Sequence, residues 1–135
     1  MARERVWDGR GCPCGAADGY ADCCGRLHAG RARAARPEEL MRSRYSAFVV
    51  GDAAYLRGTW HPRTRPAVLG LDPGQRWLAL EVLASTDGGP FGAEGHVEFR
   101  AHYAEPGGGT GVLHERSRFV RHEGAWVYLD GVVHG

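Results

Sequence analysis

The sequence has no lysine, no asparagine and no isoleucine in 135 residues, and all 17 of its basic residues are arginine. The three missing residues share AT-rich codons, while alanine, glycine and arginine are abundant. That bias points to a GC-rich bacterial genome rather than to a function, and an arginine here can stand where another genome would use lysine. No apolar run approaches the roughly 18–20 residues that span a membrane. The opening MARERVWDGRG lacks the hydrophobic stretch and small-residue cleavage site of a secretory leader. A cytoplasmic protein with reduced thiols is therefore expected. The net charge is only +1, which excludes wholesale electrostatic capture of nucleic acid. Also missing are a glycine-rich phosphate loop, a nucleotide-binding fingerprint, an internal repeat and the Cys-x-x-Cys of a redox pair.

What is present is ordinary in bulk: 43% hydrophobic and 24% charged residues. A chain of this length buries roughly two-thirds of its unfolded surface, enough for one core without covalent staples. The cysteines are not ordinary. All four lie in CPCGAADGYADCCG, at Cys12, Cys14, Cys23 and Cys24. In a reducing compartment such a cluster reads as a metal site rather than a disulfide knot. Zinc takes four ligands in a tetrahedron, with thiolate sulfur about 2.3 Å away. Pro13 stiffens the first pair, and Gly15 permits a tight turn after it. A vicinal Cys23–Cys24 disulfide is strained and rare. His28, four residues past Cys24, is an alternative fourth ligand. Four thiolates leave no open position for water, so one Zn2+ here is structural and not catalytic.

CPCG…Y…CCG resembles the SEC-C motif, the zinc module at the C-terminus of the SecA translocation ATPase and in many unrelated bacterial proteins. The four ligand positions and Tyr20 match. Where the usual pattern has Gly-Ser after the second cysteine, this sequence has Gly15-Ala16. The resemblance implies zinc; the job such a module does, docking of a partner or structure alone, is left open.

Past the cysteines, Arg26, Arg31, Arg33, Arg36, Arg42 and Arg44 crowd a connector and the start of a helix. They permit contact with RNA phosphate or a ribosome, although Glu38 and Glu39 interrupt them and a solvated face is the simpler reading. Pro37-Glu38-Glu39 opens a helix. Met41, Tyr45, Phe48 and Val49 recur at helical spacing to about Val50, and Gly51 stops it. Asp52 caps a second helix, Ala53 to about Thr59, which Trp60-His61-Pro62 ends. Four strands are predicted. Arg76 to Ala84 places Leu78, Leu80, Val82 and Ala84 on one face. His96 to Tyr103 alternates Val97, Phe99, Ala101 and Tyr103 against polar residues. Val112 to Arg121 and Ala125 to Asp130 form a hairpin about Glu123-Gly124, opposing Phe119 to Tyr128, Arg121 to Trp126 and Ser117 to Asp130. Helices followed by an antiparallel meander make an α+β fold, with a curved sheet wrapped over the helices as a cone with a cavity.

LMRSRYSAFVVGDAAYLRGTWHP, HERSRF and WVYLDG together resemble the YchJ-like family of bacterial proteins. That resemblance implies a SEC-C zinc module, residues 1–30, followed by a nuclear transport factor 2-like (cystatin-like) α+β domain, residues 31–135. Many such relatives carry a second cysteine motif at the C-terminus, which this sequence does not show; docking through it is expected to be weaker or absent here.

The cone offers pocket candidates: Arg44, Tyr45, Trp60, His61, Glu115, Ser117 and Asp130. His61 beside Glu115 or Asp130 would make an acid–base pair, as in an isomerase or dehydratase. The alternative is an Arg–Glu–Asp network that only ties helix to sheet. Trp60 and Trp126 read as core. His96, His102, His114 and His122 read as the solvent face. Docking of a protein or ribosomal partner predicts an exposed knuckle and a filled cone. Catalysis predicts an open cavity of a few hundred Å³ with His61 at the carboxylate. Exposed strand edges allow dimers, but nothing in the sequence fixes the oligomeric state.

Overall fold

Prolines and glycines set the joints of the chain, and regular elements fill the spaces between them. The computed structural model describes residues 9, 11–88 and 92–134. The leaderless start read from the first residues, and positions 1–8, 10, 89–91 and 135 of the two expected units, lie outside the described residues. Three helices come first: α1 (Cys24–His28), α2 (Pro37–Val50) and α3 (Ala53–Gly58). Four strands follow: β1 (Arg76–Thr86), β2 (Glu94–Ala104), β3 (Thr110–His122) and β4 (Ala125–His134). They form one antiparallel sheet in the order β1-β2-β3-β4.

Helix α2 begins and ends where its residues require. Pro37 occupies the first turn, where a missing N–H costs nothing, and Glu38 and Glu39 put negative charge at the positive end of the helix. The Glu39 carboxylate also accepts the Ala35 N–H at 2.7 Å. Gly51 closes the helix in the left-handed region at φ +79°. The Asp52 N–H then returns to the Ala47 carbonyl at 2.8 Å. The Asp52 carboxylate accepts the Tyr55 N–H at 3.0 Å and so starts α3.

The inner face of α2 packs on the sheet. Leu40, Met41 and Tyr45 meet Val97, Phe99 and Ala101 of β2, Phe119 of β3 and Trp126 of β4. Burying each larger side chain contributes about 1.5–3 kcal/mol, so this cluster carries most of the domain's apolar stabilisation. Arg44, Ser43 and Ser46 are also buried on α2.

The β3–β4 hairpin turns on Glu123 and Gly124, with φ of +52° and +82°, the two positive values of a type I′ turn. Phe119 faces Tyr128 and Arg121 faces Trp126, as the sequence predicts. The Arg121 guanidinium lies 4.4 Å from the Trp126 ring centre. Beyond Tyr128 the register differs from expectation. Between Arg118 and Phe119 it slips by one residue, so Asp130 pairs with Arg118 and Ser117 pairs with Gly131. An extra residue on one strand, here Leu129, turns everything after it to the other face. Asp130 therefore leaves the inner face and forms a two-pronged ion pair with Arg118, at 2.9 and 2.6 Å.

The same device revises β1. Slips between Trp77 and Ala79 and between Val82 and Ala84 make Leu78 and Leu83 extra residues. Trp77, Leu80 and Val82 pack on the core; Leu78 and Ala84, expected to share that face, do not. After α3 the chain runs beside β4: the His61 N–H donates to the Tyr128 carbonyl and the Tyr128 N–H to the Thr59 carbonyl, both at 2.8 Å. This bridge stands Trp60 edge-on to Tyr128 and walls the cone.

Candidate functional site

The four cysteines converge. Their sulfurs all lie within 4.8 Å of one another, and none is in a disulfide. Sulfurs about 2.3 Å from a tetrahedral metal lie about 3.8 Å apart along the tetrahedron's edge; Cys14 Sγ and Cys23 Sγ are 3.8 Å apart. The donor set and spacing thus fit a metal, held by all four thiolates, whose contribution would be to close the loop rather than to activate water. Protonation follows the same geometry. A hydrogen bond from Cys24 draws the Cys14 thiol down to about 5. Burial pushes Cys23 up to about 12. Sharing with Cys14 and burial push Cys24 higher still. Thiolate ligation is coupled to proton release, so metal binding at such a site depends on pH.

Local structure makes this convergence possible. Gly15 sits at φ +96° behind the first pair, and its N–H closes a turn to the Cys12 carbonyl at 3.0 Å. Gly25 follows the second pair because any side chain there would lie 2.6 Å from the Tyr20 carbonyl. Cys12, Cys14 and Cys24 are buried, Cys14 to 1% exposure, while Gly15, Asp18, Gly19 and Asp22 form an exposed rim.

The module is seated on α2 by polar contacts. Ser46 Oγ lies 3.7 Å from Cys12 Sγ. Arg42 donates to the Cys14 carbonyl at 2.9 Å and also bonds Glu38. Arg26 pairs with Glu39 at 2.6 Å. His28, the alternative ligand, is engaged elsewhere. Its Nε2 lies 2.7 Å from the Ser43 carbonyl, which can only accept, so that nitrogen carries the proton. Its Nδ1 takes the Tyr20 hydroxyl. Its ring also packs, tilted, against Tyr55 with ring centres 4.5 Å apart. Sequence reading missed Ser43 and Ser46. The available signal was two small polar residues, one helical turn apart, in a stretch otherwise apolar by period.

The cone contains a cavity of about 190 Å³ that opens to solvent. Of the predicted pocket residues, Arg44, Tyr45, Trp60, Glu115 and Ser117 line it; His61 and Asp130 do not. His61 packs against His122, ring centres 4.9 Å apart. Desolvation, then the nearby His122, Arg63 and Arg65 charges, lower its proton affinity. The expected Arg–Glu–Asp network is likewise absent among the described residues. Arg44 donates instead to the Leu56 carbonyl at 2.8 Å and Thr59 Oγ1 at 2.7 Å, between the rings of Trp60 and Tyr128 at 5.1 and 4.8 Å. Burial pulls the guanidinium down to about 10, still protonated at neutral pH. Glu115 Oε2 accepts the Ser117 hydroxyl at 2.6 Å and the Tyr128 hydroxyl at 3.2 Å. Gly131 makes room for it, since a side chain there would strike the carboxylate. Burial, followed by the Glu115 charge, raises Tyr128, so both hydroxyls donate. The Trp60 indole N–H is buried without a partner among the described residues.

On the outer face of the sheet the histidines meet carboxylates. His102 bonds Glu81 at 2.5 Å and His114 bonds Glu98 at 2.6 Å. Glu98, His114 and His134 bring ligand atoms within 4.8 Å of one another, on a partly exposed surface.

Fold and cysteine cluster together describe a nuclear transport factor 2-like domain joined to a SEC-C module, and comparison with known proteins agrees. Residues 36–131 match the family described as the middle NTF2-like domain of YchJ. A UPF0225 protein of Streptomyces coelicolor is 61% identical over 120 residues, covering 89% of this chain and 93% of its own length. One of Xanthomonas campestris is 52% identical over 121 residues, covering 88% and 92%. The solution structure of a SEC-C motif containing protein from Rhodopseudomonas palustris superposes with a TM-score of 0.80 at 37% identity, covering 92% of this chain and 98% of that one. A crystal structure of a SEC-C motif containing protein from Psychrobacter arcticus gives 0.73 at 32%, covering 92% and 82%. The chain belongs to the YchJ-like family, whose relatives here carry the UPF0225 name. Among the described residues no helix is long and apolar enough to cross a membrane.

Proposed function

We propose that the chain is a zinc protein in which a closed Cys12–Cys14–Cys23–Cys24 site fastens an N-terminal docking module to α2 of a small ligand-binding domain. The observation that carries the metal is four unbridged sulfurs within 4.8 Å. Zinc suits the site because all-thiolate tetrahedral coordination is its common structural mode. Support for docking a protein is the exposed rim from Gly15 to Asp22, on a module whose inner side is already occupied by α2. A ribosomal or RNA partner has less support: Arg26, Arg42 and Arg44 of the arginine cluster are engaged within the molecule. The cone is open where docking alone predicts it filled, and it is read as a binding cavity. The enzyme reading needs His61 beside a carboxylate, and His61 packs on His122.

Elemental analysis of untagged protein tests the metal: one zinc per chain is expected, with near-complete loss in Cys23→Ser. A zinc-free, fully folded protein overturns it. A photo-crosslinker at Asp18 tests docking. Crosslinks to one defined protein that vanish in Cys23→Ser support it; equal crosslinking in both proteins counts against it.

A further inference from the structure

The cone cavity has a composition that narrows what can enter it. Its volume of about 190 Å³ compares with the roughly 150 Å³ of an engineered apolar cavity that accepts benzene. One ring with a small substituent fits inside it. Much of the wall is aromatic, from Tyr45, Phe48, Trp60, Trp77, Phe99 and Tyr128. Flat rings pack well on such surfaces, edge-on or offset.

Two charges stand in this wall, Arg44 and Glu115, and no ion pair joins them among the described residues. Arg44 is held from behind by Leu56 and Thr59 and covered by two rings. Glu115 is held by one oxygen only. Oε2 receives both hydroxyls, and Oε1 has no hydrogen-bond partner among the described residues. A carboxylate oxygen has more acceptor capacity than this, and in a confined apolar site an incoming donor gains a charge-assisted hydrogen bond. Fixed charges of both signs also discriminate. An anionic guest meets a like charge in Glu115, and a cationic guest meets one in Arg44.

From this arrangement we infer that the cone binds an uncharged single-ring aromatic molecule that donates an O–H or N–H hydrogen bond to Glu115. This deepens the binding-domain reading and depends on it.

The test uses the full, zinc-loaded chain and four probes of matched size: phenol, toluene, benzoate and benzylamine. Binding is read from the indole N–H resonances of Trp60 and Trp77. Phenol is expected to bind at least about tenfold more tightly than each of the others, because only it is uncharged and donates. Glu115→Gln is expected to bring phenol and toluene within a few-fold of each other. Leu113→Trp, which fills the cavity from β3, is expected to remove both. Equal affinity for phenol and toluene overturns the inference, as does a preference for benzoate or benzylamine, or no response of either tryptophan to millimolar phenol. Zinc is measured on the same sample. A silent titration with zinc at one per chain counts against the cavity, while absent zinc counts against the metal reading.

Discussion

The cysteine module and the cone are built on opposite principles. The module's buried cluster consists of Cys12, Cys14 and Cys24, flanked only by Ala16, Tyr20 and Cys23. The cone buries Leu40, Phe119, Val97, Phe99 and Trp126 among larger neighbours. The first has too little apolar surface to offset the entropy of ordering its loop; the second has enough. A region of the first kind is one where a metal held by the four thiolates would add stability. Arg42, Ser46 and His28 stitch the two regions together.

The largest effect is expected from removing the metal proposed for the four cysteines. Structural zinc in small cysteine sites is worth about 10–16 kcal/mol at neutral pH. Chelation, or Cys14→Ser, should expose amides from Gly11 to Gly30 to hydrogen exchange while those of β2 and β3 stay protected. Simultaneous loss of both would show one cooperative unit instead. The converse experiment strikes the cone. Phe119 is fully buried, and Phe119→Ala should cost about 3–5 kcal/mol in urea unfolding while the folded variant still binds one metal per chain. A smaller effect is expected from Gly25→Ala. The new methyl would lie 2.6 Å from the Tyr20 carbonyl, a backbone clash of the kind that costs about 1–3 kcal/mol. It should lower metal affinity and leave the near-ultraviolet signal of the cone's aromatics unchanged.

The smallest effect is a pH dependence on the outer face. The Arg118 guanidinium holds the Asp130 carboxyl below its usual range. A carboxyl depressed in the folded state adds stability above its unfolded value near about 3.9, and that stability fades as pH falls through the folded value. Arg118→Gln should therefore be slightly less stable than the parent at pH 7, in a salt-sensitive way. Its deficit should vanish at the acid end. A deficit that persists there would mean Arg118 acts by packing.

Much of this could be read from residues alone. Pro37, Gly51 and Asp52 delimit α2 and start α3 because their backbone chemistry is local. Glu123-Gly124 sets the hairpin for the same reason. The cysteine spacing announced the cluster of four sulfurs, since Cys12-Pro13-Cys14 and Cys23-Cys24 lie within thirteen residues of a glycine-rich loop. What stayed hidden was non-local. The extra residues Leu78, Leu83 and Leu129 do not differ in type from their neighbours; only pairing across the sheet makes them extra. One such slip moved Asp130 to the far face. His61 was misplaced because its position depends on how the loop after α3 lies along β4. The pairing of Ser46 with Cys12 spans 34 residues, and no periodicity reports it.

The slips in β1 have a consequence for the protein's neighbours. This strand forms one border of the sheet, where unused amides and carbonyls invite a foreign strand to zip on. Two interruptions in eleven residues leave that border without the regular spacing a stranger would need. The molecule guards its open flank by irregularity, and a β1 straightened by deleting Leu83 should be the variant that clumps.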